Sequence, residues 1–156
     1  MARRGLWVLL LLVVLGAAAG CGEEGGAGGD AVVTVYVSSP GRVLCDEARE
    51  QASQGKGGEE PELRVVCLDA SGPSGKWTLA QVGANARRAT EDSTAVAYVG
   101  EPDRKARRQS QPIVEAAGIA AFGSANGREA VAEVRAALKE ADDADPREAV
   151  LDAVEG

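Results

Sequence analysis

The sequence contains no histidine, and only 3% of its 156 residues are aromatic. The missing histidines remove the most common general base and metal ligand at neutral pH. With so few aromatic residues, a folded core must be built from Ala, Val and Leu. The chain also lacks a nucleophile elbow G-x-S-x-G, a P-loop and a cluster of metal ligands. We therefore expect neither an enzyme nor a bound cofactor or metal.

Basic residues are in the minority, because 17 Lys and Arg stand against 24 Asp and Glu and give a net charge of −7. Removal of the first twenty residues would take away two arginines, so the basic count would fall to 15 and the net charge to −9. A nucleic-acid-binding protein usually presents a basic surface, so this balance argues against nucleic acid as a partner.

The N-terminal segment combines Arg3 and Arg4 with the apolar run Leu6–Leu15 and small residues that end at Cys21. The apolar run is shorter than the roughly 20 residues that a helix needs to cross a bilayer, so residues 1–20 are interpreted as a cleaved signal peptide. The sequence LGAAAGC resembles the lipobox of bacterial lipoproteins. That resemblance implies acylation of Cys21, with palmitate-type chains, and a lipid anchor on the extracytoplasmic face of the cell membrane. The alternative is an ordinary secretory signal followed by an incidental cysteine.

Residues 21–30 comprise this cysteine and the segment GEEGGAGGD, which is predicted to be a flexible tether. A Gly-rich coil of that length has an end-to-end distance of roughly 15–18 Å. The tether would keep the folded domain, predicted to span residues 31–156, near the membrane surface.

Four short apolar segments rich in β-branched residues are predicted to be strands, namely Ala31–Val37, Leu63–Leu68, Ala95–Val99 and Ile119–Phe122. Helical patterns separate them, and this alternation predicts a parallel sheet. Apolar residues on both faces of the first strand indicate that helices cover both sides. We therefore expect an α/β fold: a three-layer α/β/α sandwich with a mainly parallel four-stranded sheet in the Rossmann-like order 2-1-3-4.

The predicted helices each carry apolar residues on one face and lie at residues 41–54, 78–91, 104–117 and after residue 127. Asp103 is expected to cap the third of these helices. Pro112 should kink or restart that helix. Asp145 and Pro146 are typical of the N-cap and first residue of a short final helix.

Cys45 falls in the first predicted helix and Cys67 in the second predicted strand. In an exported protein an even pair of cysteines favours a disulfide. The chain-entropy model assigns such a bridge roughly 3 kcal/mol of stability. The alternative is a pair of buried free thiols. Because the sequence has no CxxC motif, a redox-active role is not expected.

The order and spacing of these pieces resemble one lobe of a type I periplasmic binding protein. More narrowly, they are similar to the leucine-binding-like substrate-binding lipoproteins of ABC transporters for branched-chain amino acids. The matching stretches cover about Val33–Asn126 and read VTVYVSSP, LRVVCLDASG, WTLAQVGANARRATED, AVAYVGE and QPIVEAAGI. Gly127–Val154 resembles the late helical segment that packs back on the first lobe in that family. The alternative is a generic amphipathic helix that completes the layer.

The resemblance implies a single-lobe binding protein for amino acids or similar small polar solutes, with an ABC permease or a second lobe or chain as partner. Ligand contacts are expected at the carboxyl ends of the strands, from Ser38, Ser39, Glu101, Asp103, Ser124 and Asn126. The family usually has a turn rich in Ser, Gly, Ala and Thr after the third strand, but this sequence has charged residues from Glu101 to Arg107. One lobe alone has no cleft to close, so we expect weak affinity. The alternative is an interaction or structural lipoprotein that keeps the fold without a ligand.

A run of basic residues occupies the third predicted helix, formed by Arg104, Lys105, Arg107 and Arg108. It is either a solvated helix face or a contact for anionic headgroups or an acidic partner.

Overall fold

The fold is built around β1 (Val32–Ser39), in which every residue from Val33 to Ser39 is buried. A computed structural model describes residues 31–55, 61–123, 126–141 and 144–155. Alternating residues of β1 point to opposite faces of the sheet, so burial of all of them requires cover on both sides. The apolar pattern of this stretch predicted that arrangement.

Three parallel strands join β1 in one sheet. β2 (Glu62–Asp69) pairs on one side, β3 (Ala95–Val99) on the other, and β4 (Ala120–Phe122) lies outside β3, which gives the order β2-β1-β3-β4. The register between β1 and β3 shifts after Thr34, where an irregularity inserts an extra residue in β3. The predicted α/β class and the strand order 2-1-3-4 are confirmed.

Helices cover both faces of this sheet. In the described part of the chain, α1 (Val43–Ser53), α4 (Gly127–Glu140) and α5 (Pro146–Glu155) pack on one face. α2 (Leu79–Thr90) and α3 (Arg104–Glu115) pack on the other. The core of the first face contains Val35, Val37, Leu44, Ala48, Val131, Val134 and Val150. The core of the second contains Tyr36, Ala86, Ala89, Tyr98, Val114 and Ile119. Small side chains therefore fill most of the space between sheet and helices.

Polar side chains begin the helices as the sequence predicted. Asp103 accepts hydrogen bonds from the backbone amides of Lys105 and Ala106 at the start of α3. Asp145 does the same for Arg147 and Glu148 at the start of α5, where Pro146 is the first helical residue. These bonds satisfy donors that have no partner within their own helix.

Two details differ from the sequence-based expectation. α3 is a single helix through Pro112, so the proline does not restart it. Pro112 and Arg108 are both exposed, so water can satisfy the Arg108 carbonyl that loses its helical donor. Leu79 belongs to the predicted apolar face of the helix at residues 78–91, but it is the first residue of α2 and is 44% exposed.

Candidate functional site

The carboxyl edge of the sheet has a topological switch point between the ends of β1 and β3, which we call the β1–β3 crevice. β1 leads through α1 to β2 on one side, while β3 lies on the other side of β1 and leads through α3 to β4. α1 and α3 therefore leave this edge on opposite faces of the sheet. In open α/β sheets this switch point is where ligands bind.

Ser38 and Glu101 meet inside the crevice, and both are completely buried. The Ser38 hydroxyl donates to Glu101 Oε1 at 2.5 Å, and the Tyr98 hydroxyl donates to the same oxygen at 3.5 Å. The Ser110 hydroxyl donates to Glu101 Oε2 at 3.4 Å. Strands β1 and β3 and helix α3 thus converge on one carboxyl group, with hydroxyl groups as its hydrogen-bond partners in the described residues.

Helix α2 extends this network. Asn85 Nδ2 donates to Ser38 Oγ at 2.9 Å and to the Asp69 backbone oxygen at 3.1 Å. Gln81 Nε2 in turn donates to Asn85 Oδ1 at 3.1 Å. Among the residues that the structure describes, every buried side-chain nitrogen and oxygen atom has a hydrogen-bond partner, as burial of polar groups requires. The network ties α2 and α3 to the ends of β1 and β3.

Burial, followed by the neighbouring Glu101 carboxyl, raises the pKa of the Tyr98 phenol far above its ordinary value. The phenol therefore keeps its proton and remains a donor over the whole physiological range. At the end of β2, the hydroxyl and backbone amide of Ser71 hold the pKa of the Asp69 carboxyl below its ordinary value.

The other predicted ligand residues act within the protein. Ser39 is 5% exposed and donates to the Gly41 backbone oxygen at 3.1 Å. Asp103 caps α3. Asn126 is exposed and caps α4 by accepting from the amides of Arg128 and Glu129. Ser124 and Cys21 lie outside the described residues. The structure therefore brings Ser38, Ser39 and Glu101 to one crevice and uses Asp103 and Asn126 as helix caps.

Helix α1 begins beside this crevice without a capping side chain. Its N-cap residue, Arg42, makes no side-chain cap hydrogen bond, whereas Thr78, Asp103 and Asn126 cap α2, α3 and α4. The preceding Gly41 has φ 87°, a conformation that favours glycine and lets the chain turn sharply out of β1. Val43, the first residue of α1, is 75% exposed. This corner presents backbone N–H groups and an exposed apolar side chain.

A small pocket next to the crevice lies between β3, β4 and α3. It is lined by Tyr98, Gly100, Ser110, Phe122, Gly123 and Arg107. Arg107 is half-buried and donates to the Gly123 backbone oxygen at 2.5 Å, which closes one end of the pocket. The predicted basic run is thereby divided, because Arg107 bonds to the strand edge while Arg104, Lys105 and Arg108 are exposed.

A second polar cluster, which sequence analysis did not identify, lies at the opposite end of the sheet. The Tyr36 hydroxyl donates to Asp92 Oδ2 at 2.9 Å, and Arg64 forms an ion pair with the same oxygen at 3.1 Å. Burial would raise the pKa of the Asp92 carboxyl, but hydrogen bonds from Thr94 and Tyr36, together with Arg64, outweigh it and lower that pKa. Burial and the bond to Asp92 raise the pKa of the Tyr36 phenol. This cluster fastens the loop before β3 to β1.

Sequence analysis missed Asn85, Tyr98 and Ser110 as members of the buried network. The sequence does indicate Asn85 and Ser110, because each lies at a position where the helical repeat places buried apolar residues. Asn85 follows Val82 by three residues on the apolar stripe of α2, and Ser110 lies midway between Ala106 and Val114 on that of α3. A polar residue on a buried helix stripe must find a buried partner.

Cys45 of α1 and Cys67 of β2 form a disulfide, with their Cα atoms 5.8 Å apart. The predicted pairing is confirmed.

Within the described ranges, no group of three or more His, Cys, Asp or Glu side chains is arranged to hold a metal ion. None of the helices in residues 31–155 that the structure describes is both long and apolar enough to cross a membrane.

Comparison with protein-family models finds no match for this chain, and comparisons with curated proteins and with solved structures find none either. The case for a function therefore rests on the geometry and on the sequence resemblance.

Proposed function

We propose that the chain is an extracytoplasmic lipoprotein, anchored to the cell membrane through acylated Cys21, whose single lobe binds an amino acid or a similar small polar solute. The observation that carries this proposal is the contact between Ser38 and Glu101, which joins the ends of β1 and β3 at the β1–β3 crevice. Ser38 lies at the end of β1 and Glu101 follows β3, at the sheet edge where open α/β folds bind ligands. The resemblance to leucine-binding-like proteins supplies the ligand class.

The binding groups are assigned to the backbone at the start of α1. Ser38 and Glu101 are buried and bonded to each other, so they position the ends of β1 and β3 and do not contact the ligand. The uncapped N-terminus of α1 offers N–H groups and a positive dipole end to a ligand carboxylate. Exposed Val43 supplies an apolar contact for an aliphatic side chain.

Affinity at this site should be weak. High-affinity pockets bury most of the ligand surface, whereas Gly41, Arg42 and Val43 at the start of α1 are exposed. An ABC permease, or a second lobe on another chain, would supply the missing wall. The proposed role is binding and delivery, with no enzymatic step.

One observation favours a second candidate function. The side chains expected to hold a ligand instead bond within the protein: Ser38, Ser39, Glu101 and Asp103 all have partners there. A lobe arranged in this way could serve as an interaction or structural module without a small ligand.

Thermal unfolding of residues 30–156 in a panel of amino acids separates the two candidates. The described part of that segment holds the whole sheet and both helix layers. A ligand at 100 times its dissociation constant adds about 2.7 kcal/mol to the free energy of unfolding, which raises the Tm by several degrees in a domain of this size. We expect such a rise with an aliphatic amino acid at millimolar concentration.

The variant Val43→Glu tests the location of the site. A carboxylate in the first turn of α1 would occupy the N–H groups that we assign to the ligand, so the ligand-dependent rise should disappear without loss of basal stability. Val32→Glu is the matched control, since Val32 is 37% exposed at the opposite end of the sheet. A folded protein with no rise for any amino acid would refute the binding function and leave the interaction module.

A further inference from the structure

The two helix layers carry opposite charge. α2 and α3 hold Arg87, Arg88, Arg104, Lys105, Arg107 and Arg108, with Glu115 as their acidic residue and Glu91 and Asp103 as acidic cap residues. The layer of α1, α4 and α5 contains the acidic residues Asp46, Glu47, Glu50, Glu129, Glu133, Glu140, Glu148 and Asp152. A chain with net charge −7 therefore presents one positive side.

The cations of α2 and α3 are available to a partner. Arg88, Arg104, Lys105 and Arg108 are exposed, and among the residues that the structure describes no ion pair holds any of them. The buried stripe Ala106, Ser110 and Val114 turns the exposed cations of α3 away from the sheet. We name Arg87, Arg88, Arg104, Lys105 and Arg108 the basic face.

The two helices present these cations as one surface. A side-chain atom placed on Gly83 of α2 would lie 3.5 Å from both Arg87 Nη1 and Gln109 Nε2 of α3. Gly83 thus lies at the junction of the two helices, with the Arg87 guanidinium of α2 on one side and the Gln109 amide of α3 on the other.

Several cations of the opposite layer are already engaged. Arg128 pairs with Glu50. Arg135 donates to the backbone oxygens of Gln51 and Ala52. Arg147 donates to the backbone oxygens of Asp92, Ser93, Ala95 and Ala117. The eight acidic side chains of that layer outnumber its five cations, Arg49, Arg128, Arg135, Lys139 and Arg147, so the charge difference across the sheet persists.

We infer that the basic face docks on an anionic lipid surface and orients the domain on the membrane. The choice of lipid as the partner rests on the proposed anchor at Cys21. Nine residues separate Cys21 from Ala31, and a chain of that length spans at most about 30 Å. The anchor would hold the domain where headgroup charge acts, attracting the basic face and repelling the acidic layer.

This orientation has a consequence for the carboxyl edge. Helices α2 and α3 lie flat against the sheet, so docking through their outer face places the sheet parallel to the membrane. The β1–β3 crevice then opens sideways along the membrane and stays accessible to a solute and to a membrane-embedded partner.

Vesicle binding of residues 30–156, which lack the anchor, tests this inference directly. Each Lys or Arg near an anionic surface strengthens binding by about fivefold. We expect sedimentation with vesicles that contain phosphatidylglycerol but not with pure phosphatidylcholine. Binding should fall steeply between 0.02 and 0.3 M salt, as screening shortens the range of the charges from about 20 to 6 Å.

The triple variant R104Q/K105Q/R108Q should lose at least tenfold of that binding. The variant R49E/A132E changes the net charge by the same three units on the exposed surface of α1 and α4 and should retain most of it. Equal loss in both variants would overturn the inference, because net charge alone would then explain binding. Absence of binding to anionic vesicles at low salt would overturn it as well.

Two further measurements keep this inference separate from the proposed function. Labelled palmitate incorporation into the full chain, lost in Cys21→Ser, reports the anchor independently of vesicle binding by the domain. Sedimentation without vesicles reports self-association. A salt-sensitive dimer that the triple variant abolishes would assign the basic face to the acidic layer of a second copy and overturn the lipid assignment.

Discussion

At the scale of single residues, Glu101 is the group on which the carboxyl edge depends. A buried carboxyl group is costly unless its oxygens are hydrogen-bonded. Here Ser38, Tyr98 and Ser110 supply those bonds from two strands and a helix. The same carboxyl group therefore aligns the ends of β1, β3 and α3.

Replacing Glu101 by alanine should cost about 3 kcal/mol or more, measured by urea unfolding. The change leaves a cavity and removes the acceptor for the buried Ser38 and Tyr98 hydroxyls. Glu101→Gln keeps one oxygen and should cost about half as much. Asp103→Ala, two residues away, removes only a helix cap and should cost about 1 kcal/mol. Equal losses for Glu101→Ala and Asp103→Ala would contradict the role we assign to the network.

The residue scale also shows where sequence reasoning stops. The rule that ligands bind beyond strand ends predicts Ser38 and Glu101 as ligand contacts at one sheet edge. In the structure these two residues, 63 positions apart in the sequence, are hydrogen-bonded to each other. The rule could not tell whether their side chains point to a ligand or to each other. The direction of these two side chains depends on their rotamers and on the burial of Tyr98 and Ser110 beside them, and both follow from tertiary packing.

At the scale of elements, close packing of α1 and α4 depends on a single glycine. A Cβ atom on Gly127 would lie 2.1 Å from the Leu44 backbone oxygen and 3.0 Å from the Ala48 nitrogen. α4 therefore begins directly against the backbone of α1, and only glycine fits there. Gly83 in α2 differs, since its added Cβ would meet only the flexible ends of Arg87 and Gln109 at 3.5 Å.

The two glycines should respond to alanine with opposite signs. Gly83→Ala should stabilise the protein by about 0.5–1 kcal/mol, because alanine is the better helix former. Gly127→Ala should destabilise it by about 1–3 kcal/mol, because the backbones of α1 and α4 must move apart. Thermal or urea unfolding of the pair checks both signs. A stabilising Gly127→Ala would show that α4 does not sit this close to α1.

Element positions followed well from the sequence, since strand and helix periodicity is local. The caps Asp103 and Asp145 were found from their place before helical patterns, and both make the expected hydrogen bonds. Of the two predicted effects of Pro112, a kink or a restart of the helix, the restart is wrong, since α3 continues through the proline between the buried residues Ser110 and Val114.

At the scale of the whole molecule, the Cys45–Cys67 disulfide fastens β2 to α1. β2 is an edge strand, and four of its residues between Leu63 and Cys67 are only half-buried. The residues of β2 are less buried than those of β1, so packing stabilises β2 less. The covalent link limits the movement of β2 relative to α1. The bridge closes a loop with a sequence separation of 22.

Reduction of this disulfide should lower the free energy of unfolding by about 3 kcal/mol, as the chain-entropy model gives for such a loop. Urea unfolding with and without a reductant measures the effect. The variant Cys45→Ala/Cys67→Ala should match the reduced protein and no longer respond to the reductant. If reduction left the unfolding midpoint unchanged, the bridge would not restrain β2 as we describe.

The sequence by itself determined the class of fold and the strand order, and it favoured the cysteine pairing that the structure shows. These depend on local periodicity, on the handedness of crossovers and on the even number of cysteines after Cys21. Only the tertiary structure decided the rest: that Glu101 turns inward to hydroxyl groups, that Gly127 sits against α1, and that cations of α2 and α3 gather on one face. The physical reason is distance along the chain. These contacts join segments that are far apart in the sequence, so no local pattern predicts them, and only folding of the sheet brings them within a few ångströms.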